Sequence, residues 1–189
     1  MGRPLRIEFE NAYYHVMNRG RSHTNIFNDD DSFNCFLNTL AETSVRFNLE
    51  IHAYCLTSNN YHLLVKTPDA NLQRAMRHLG GIFTQRYNRL KNTDGPLFRG
   101  RYKAILIDHK EFLLDVSKFI HRSPIDCDSI YDPSLYRWSS YPSYIGLRQS
   151  ETWLKEQEIL AQFQPSELAR NKYRSFVNDS NNKESILRF

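Results

Sequence analysis

The sequence predicts an α+β fold: a ferredoxin-like split β-α-β antiparallel sheet with helices on one face, plus a small helical C-terminal extension. Four segments alternate apolar and polar residues or are short apolar runs, as is typical of strands. Segments with apolar residues at helical spacing separate them in the order β-α-β-β-α-β, and a third helical segment follows the last strand. That order is the one that the ferredoxin-like arrangement requires.

Each element has its own local signal. Asn28-Asp29-Asp30-Asp31-Ser32 supplies capping residues for the first helix, and Thr57-Ser58-Asn59-Asn60 is a cluster of turn formers between the second and third strands. Gly80-Gly81 lies inside the second helix, and Pro124 is expected to close the third. The predicted strands are 12–18, 49–56, 61–67 and 102–107, and the predicted helices begin near Phe33, Asp69 and Lys110.

The chain divides into two predicted regions. Residues 1–146 form the main domain, and residues 147–189 form a helical C-terminal extension. The extension is predicted to contain two short helices, 152–163 and 165–177. The polar tail from Asn178 is expected to be frayed.

The composition indicates a soluble, cytoplasmic protein. The chain has 189 residues, with 25 Lys+Arg against 21 Asp+Glu and a net charge of +4. The three cysteines, Cys35, Cys55 and Cys127, show no C-x-x-C spacing, which favours free intracellular thiols over a disulfide framework or a zinc site. We expect no signal peptide and no membrane span, because the sequence has no apolar run of the required kind.

The stretch A-Y-C-L-T-S-N-N-Y-H-L-L-V-K-T-P from Ala53 to Pro68 is the most informative part of the sequence. Asn60 and His62 are two residues apart on a predicted strand, so both side chains point to one face. Residue types alone allow a turn asparagine followed by a buried structural histidine, or a metal-binding pair. His15 and His52 lie on other predicted strands, so a rearranged metal site is also conceivable.

This stretch resembles the REP-associated-type single-tyrosine transposases of the HUH (His-hydrophobic-His) nuclease superfamily, whose usual run is A-Y-C-L-M-x-N-H-Y-H-L-L-V-x-T-P. Thr57 replaces the Met of that run, and Asn60 replaces its first His. Residues 95–106 match the family run G-x-L-F-x-G-R-Y-K-x-I-L, and residues 138–141 match its W-S-S-Y. The resemblance covers roughly 3–146 and implies the same ferredoxin-like fold.

The resemblance also implies a degenerate cleavage site. The family's nucleophile is a tyrosine on the third helix, and Phe119 holds its position, while Ser123 stands where an Asn is usual and where related nucleases place a third metal ligand. Phe119 has no oxygen with which to form a phosphotyrosine, and Asn60 offers a metal only an amide carbonyl. We therefore expect His62 to bind metal weakly or not at all. Mg²⁺ or Mn²⁺ would be needed only if the chain is active, and no other cofactor is expected.

Basic residues lie among aromatic residues, a combination that suits a nucleic-acid backbone with stacked bases. Residues 86–103 contain six Lys or Arg against one acid, Asp94. The alternative interpretation of this segment is a solvated charged loop. The expected DNA-binding residues are Arg19, Arg21, Arg77, Arg86, Arg89, Arg99, Arg101 and Lys103.

The sequence and the resemblance together predict a transposase-family protein that binds single-stranded or hairpin DNA and has a degenerate strand-cleavage site. One alternative is an active metal-dependent transposase or nuclease with a rearranged site, in which Tyr87 or Tyr102 replaces the nucleophile. A second alternative is a regulatory interaction protein without nuclease activity. Both a monomer and a homodimer remain open, and no membrane partner is expected.

Overall fold

A computed structural model describes residues 8–127 and 130–179 of the chain; residues 1–7 and most of the tail predicted to fray, 180–189, lie outside the described residues. The strands are β1 Ala12–Arg19, β2 Glu50–Thr57, β3 Asn60–Thr67 and β4 Lys103–Ile107. The helices are α1 Asp30–Arg46, α2 Leu72–Lys91, α3 Phe112–Cys127, α4 Tyr141–Tyr144, α5 Gln157–Leu160 and α6 Ala169–Asn178. Among the described helices, none is both long enough and apolar enough to span a bilayer.

The four strands form one antiparallel sheet in the order β2-β3-β1-β4, which confirms the predicted α+β fold. The turn between β2 and β3 contains only Ser58 and Asn59, within the predicted cluster of turn formers. Asn60 therefore already belongs to β3. It lies opposite Arg19, the last residue of β1, and this register places the start of β3 beside the end of β1.

Different helices cover the two faces of the sheet. Tyr61 of β3 contacts Phe36 of α1, with ring centroids 4.8 Å apart, and Phe36 contacts Phe83 of α2 at 5.0 Å. The next residue of β3, His62, points to the other face, where its ring centroid lies 5.5 Å from that of Phe119 in α3. The two helices of the β-α-β-β-α-β core thus share one face, and α3 covers the other.

The outer edge of β2 is covered by the chain that follows α3. Ser140 N donates to Tyr54 O at 2.9 Å, and residues 138–140 pair with this edge in the antiparallel sense. Further along the same strand, Lys155 N donates to Ile51 O at 2.8 Å. These bonds satisfy backbone groups that an open strand edge would leave unpaired, and they attach the C-terminal extension to the sheet.

Two predicted helix boundaries are wrong. Pro124 does not close α3, which continues to Cys127, because proline removes only one backbone donor and this proline is buried. The helix predicted over 152–163 is reduced to the single turn of α5. Leu154 and Lys155 lie beside Ile51 of β2, and this pairing takes them out of a helix.

Candidate nucleic-acid interface

The start of β3 brings together the residues around the predicted cleavage site. His62 is 8% exposed, and its Nδ1 lies 3.0 Å from Nε2 of His15, a fully buried residue of β1. The ring of Phe119 packs edge-on against both imidazoles, with centroids 5.5 Å from each. His62 and Phe119 are therefore neighbours. His15 lies beside them because β1 pairs with β3, and the sequence pattern does not define that pairing.

Burial keeps both imidazoles of this pair neutral. Desolvation, with a smaller contribution from His62, lowers the pKa of His15 to about 3. Desolvation also lowers the pKa of His62 to about 4. In the neutral pair one ring donates the shared hydrogen bond and the other accepts it.

The other two predicted positions have local hydrogen bonds. Asn60 Nδ2 donates to Asn59 Oδ1 at 3.0 Å, whereas Asn60 Oδ1 is buried and has no hydrogen-bond partner among the described residues. Ser123 Oγ donates to the backbone oxygen of Phe119 at 3.0 Å, one turn earlier in α3. The Ser123 hydroxyl is therefore directed to its own helix.

A basic groove borders this site. A cavity of about 650 Å³ is lined by Asn60 and His62 together with basic side chains from β1, β4 and the loop before β4. A second cavity of about 600 Å³ shares part of that lining and extends towards the loop after β1. The basic groove consists of Arg19, Arg21, Arg99, Arg101 and Lys103.

Backbone pairing holds the groove in place. Arg19 lies opposite Asn60 in the β1–β3 register, so it stands next to the predicted cleavage site. Arg99 N donates to Arg19 O, and Arg21 N donates to Leu97 O, both at 3.0 Å. Basic residues that are about 80 positions apart in the sequence are thereby fixed side by side.

A glycine is required at position 20, between Arg19 and Arg21 at the end of β1. A Cβ atom on Gly20 would come within 2.2 Å of the backbone oxygen of Thr24. Gly20 N also donates to Asn59 O at 2.8 Å, which ties this turn to the β2–β3 turn. The absence of a side chain at this position lets the chain fold back closely, with Arg19 and Arg21 on either side.

Three of the predicted DNA-binding residues lie on α2, outside the basic groove. Arg86 donates to both carboxylate oxygens of Glu42 on α1, at 3.0 and 2.7 Å. Arg77 lines a separate cavity of about 600 Å³ between α1 and α2. Arg89 is exposed. The structure therefore brings together the five groove residues and separates them from these three.

The two tyrosines considered as replacement nucleophiles lie on the opposite side of the sheet from His62. The hydroxyl of Tyr87 on α2 accepts a hydrogen bond from Asn28 at 3.4 Å. Tyr102 is buried and interacts with Tyr61, whose ring faces α1. Neither hydroxyl is directed to the site formed by His62 and Phe119.

Comparison with known proteins gives a family match and several similar solved structures. The family described as "Transposase IS200 like" matches residues 8–123. A search of curated proteins found no match. A solved REP-associated tyrosine transposase, bound to a REP hairpin, aligns with a TM-score of 0.66 at 12% identity, over 77% of this chain and 86% of that chain. A tRNA(His) guanylyltransferase from Saccharomyces cerevisiae aligns with a TM-score of 0.46 at 12% identity, over 93% of this chain and 82% of that chain.

The two kinds of match support different conclusions. The structural likeness to the REP-associated transposase shows a shared fold and no more than that, because the sequence identity is low. The family match is more informative, since it covers more than half of the chain and includes β1, β3 and the residues of α3 around Phe119. The chain therefore belongs to the IS200-like transposase family.

Proposed function

We propose that this protein binds single-stranded or hairpin DNA through the basic groove and does not cleave it. The observation that carries the proposal is the convergence of basic side chains from the end of β1 and from residues 99–103 on one cavity beside Asn60 and His62. Guanidinium and ammonium groups contact phosphates, and such contacts fix the register of a nucleic acid without reading its sequence. The groove would hold the backbone next to the former site of cleavage.

Unpaired or hairpin DNA suits this groove better than a regular duplex. The groove is a concave surface at the end of the sheet, and its described lining residues come from strands and loops, not from an α-helix that could enter a major groove. A single strand can bend into such a depression and leave its bases accessible to side chains. The solved transposase of the same fold is bound to a REP hairpin, which supports a hairpin as the ligand.

The groups needed for cleavage are missing from the same place. Phe119, which packs on His15 and His62, carries no oxygen for attack on phosphorus. The divalent metal of this type of transposase fits poorly, because β3 offers one imidazole and one amide oxygen, and Ser123 is bonded to its own helix. The proposed function therefore involves no metal-dependent step.

The binding part is tested by selecting a DNA ligand from a random library of hairpins with single-stranded flanks. Fluorescence anisotropy then compares the selected hairpin with the same sequence as a full duplex and as RNA. We expect the hairpin to bind most tightly, with an affinity that falls as salt is raised. A protein with no affinity for any of these ligands would instead be an interaction protein, and the proposal would be abandoned.

The loss of cleavage is tested by restoring the missing groups. The triple substitution Phe119→Tyr, Asn60→His and Ser123→Asn should recover metal-dependent nicking of the bound hairpin. Phe119→Tyr alone should recover little, because the metal ligands are still absent. Cleavage by the single variant at the level of the triple variant would contradict the assignment of Asn60 and Ser123.

A further inference from the structure

A second cluster of ligand-type side chains lies at the other end of the sheet. Glu50 and His52 come from β2, and Glu158 comes from α5 in the C-terminal extension. His52 Nε2 lies 3.6 Å from Oε2 of Glu50 and 3.7 Å from Oε2 of Glu158. His52 is 1% exposed, and the two glutamates are partly buried.

The cluster is separate from the basic groove. Glu50 lies opposite Lys66 in the β2–β3 register, and Lys66 is four residues from His62 along β3. With a rise of about 3.4 Å per residue, Lys66 and His62 are about 14 Å apart along the strand. A function of this cluster is therefore independent of DNA contact at the groove.

The distances within the cluster suit donors around one cation. An N–H···O hydrogen bond spans about 2.7 to 3.2 Å, so the two contacts of His52 Nε2 are too long for hydrogen bonds. Ligands about 2.1 Å from a tetrahedral zinc ion lie roughly 3.4 Å from each other. The donor atoms of Glu50, His52 and Glu158 all lie within 4.8 Å of one another.

The tautomer of His52 supplies an independent observation. His52 Nδ1 lies 3.0 Å from the backbone oxygen of Lys155, a pure acceptor, so Nδ1 carries the proton. In the neutral ring, Nε2 then presents a lone pair, and it is buried without a hydrogen-bond partner among the described residues. This lone pair faces two carboxylates, and a cation between the three groups would remove the repulsion. Metal-binding histidines typically donate their other N–H to a carbonyl in this way.

A proton on Nε2 is the competing explanation for this geometry. Burial is the main influence on the pKa of His52 and lowers it, although Glu158 and Glu50 act in the opposite direction. The distances of 3.6 and 3.7 Å from Nε2 to the two carboxylates are longer than an N–H···O hydrogen bond, so the geometry favours an unprotonated Nε2.

The surroundings contain both support and competition for a cation. The hydroxyl of Tyr13 donates to Oε1 of Glu158, which leaves Oε2 of that carboxylate for the cluster. Lys66 Nζ lies 3.3 Å from Oε2 of Glu50, and Lys110 Nζ lies 3.9 Å from Oε1 of Glu158. Lys66 thus contacts the same oxygen of Glu50 that faces His52. A carboxylate oxygen has two lone pairs, so this oxygen can contact both Lys66 and a cation.

We propose that Glu50, His52 and Glu158 bind one divalent transition-metal cation of the Zn²⁺ class and that this ion ties the C-terminal extension to β2. A set of one imidazole and two carboxylates favours Zn²⁺ over Mg²⁺, which prefers oxygen ligands and water. The role is structural, because the ligands join two parts of the chain at a distance from the groove.

The test is a titration of the full-length chain, stripped with a chelator and kept reduced, with ZnCl₂ in a calorimeter. We expect one ion per chain and a higher Tm in its presence. Glu158→Gln should weaken binding roughly tenfold or more and abolish the rise in Tm. Glu167→Gln, which changes an exposed glutamate of the same extension, is the matched control and should bind like the wild type.

Two further measurements exclude other zinc sites. His62→Gln should leave the stoichiometry unchanged, because the pair formed with His15 is not part of the cluster. Co²⁺ bound in place of Zn²⁺ should show no thiolate charge-transfer band. Absence of saturable Zn²⁺ binding, binding that Glu158→Gln leaves intact, or a thiolate band at full occupancy would each overturn the proposal.

Discussion

Replacing both Arg99 and Arg101 by glutamine should weaken hairpin DNA binding and reduce the dependence of the affinity on salt concentration. Both side chains are exposed and line the basic groove, so the substitutions should leave the fold unchanged. Each arginine in contact with a phosphate releases a condensed counterion when the complex forms. The loss of two such contacts therefore changes the salt dependence by a predictable amount.

The magnitude follows from counterion release. The slope of log K against log salt is about −0.9 per phosphate contact for a duplex stem and about −0.7 for a single strand. Removing two contacts should reduce the slope by roughly 1.4 to 1.8. Between 50 and 200 mM salt, the ratio of wild-type to variant affinity should therefore shrink about tenfold.

Fluorescence anisotropy at four or more salt concentrations measures both slopes. The matched control is Arg77→Gln with Arg89→Gln, which removes the same charge from the exposed side of α2. The control should keep the wild-type slope, because these residues lie outside the groove. Equal slopes for wild type and the Arg99/Arg101 variant, or an equal loss in the control, would refute the assignment of phosphate contacts to the groove.

Three further predictions concern the scaffold. The pKa of His62, about 4, lies below the value of about 6.5 in an unfolded chain, so the unfolded state binds more protons between them. The free energy of unfolding should therefore fall as pH is lowered from 6.5 to 4, and His62 should contribute up to about 1.4 kcal/mol per pH unit. Urea titrations at several pH values should show a smaller dependence of the free energy of unfolding on pH for His62→Gln. Gly20→Ala should lower the free energy of unfolding by about 1 to 3 kcal/mol, because the added Cβ would collide with Thr24 O. A lower Tm would reveal this loss. Trp138→Ala should lower the free energy of unfolding by about 3 to 5 kcal/mol, since the Trp138 ring stacks on Phe33 with centroids 4.2 Å apart. An unchanged urea midpoint would contradict this packing.

The sheet could be predicted because its signals are local. Alternation along β3, and the turn formers around Ser58 and Asn59, define which residues share a face. The sequence therefore placed Asn60 and His62 together without the structure. The boundary at Pro124 could not be predicted, because burial of the proline within α3 depends on tertiary packing.

Contacts between distant segments required the structure. The hydrogen bond from Arg86 to Glu42 depends on how α1 packs against α2, which no periodicity defines. Glu158 reaches His52 only because residues 154–155 join the edge of β2. These positions are about 100 residues apart in the sequence, and their residue types alone give no reason to pair them.

The most direct test of binding without cleavage is a denaturing gel of the wild-type chain with a saturating amount of the selected hairpin, labelled at each end in turn. The reactions contain Mg²⁺ or Mn²⁺, and a native gel run in parallel verifies that the DNA is bound. We expect full-length DNA and no covalent protein–DNA adduct, because Phe119 offers no oxygen to phosphorus. A metal-dependent nick, or an adduct mapped to Tyr87, Tyr102 or any other residue, would contradict the account and identify the protein as an active transposase.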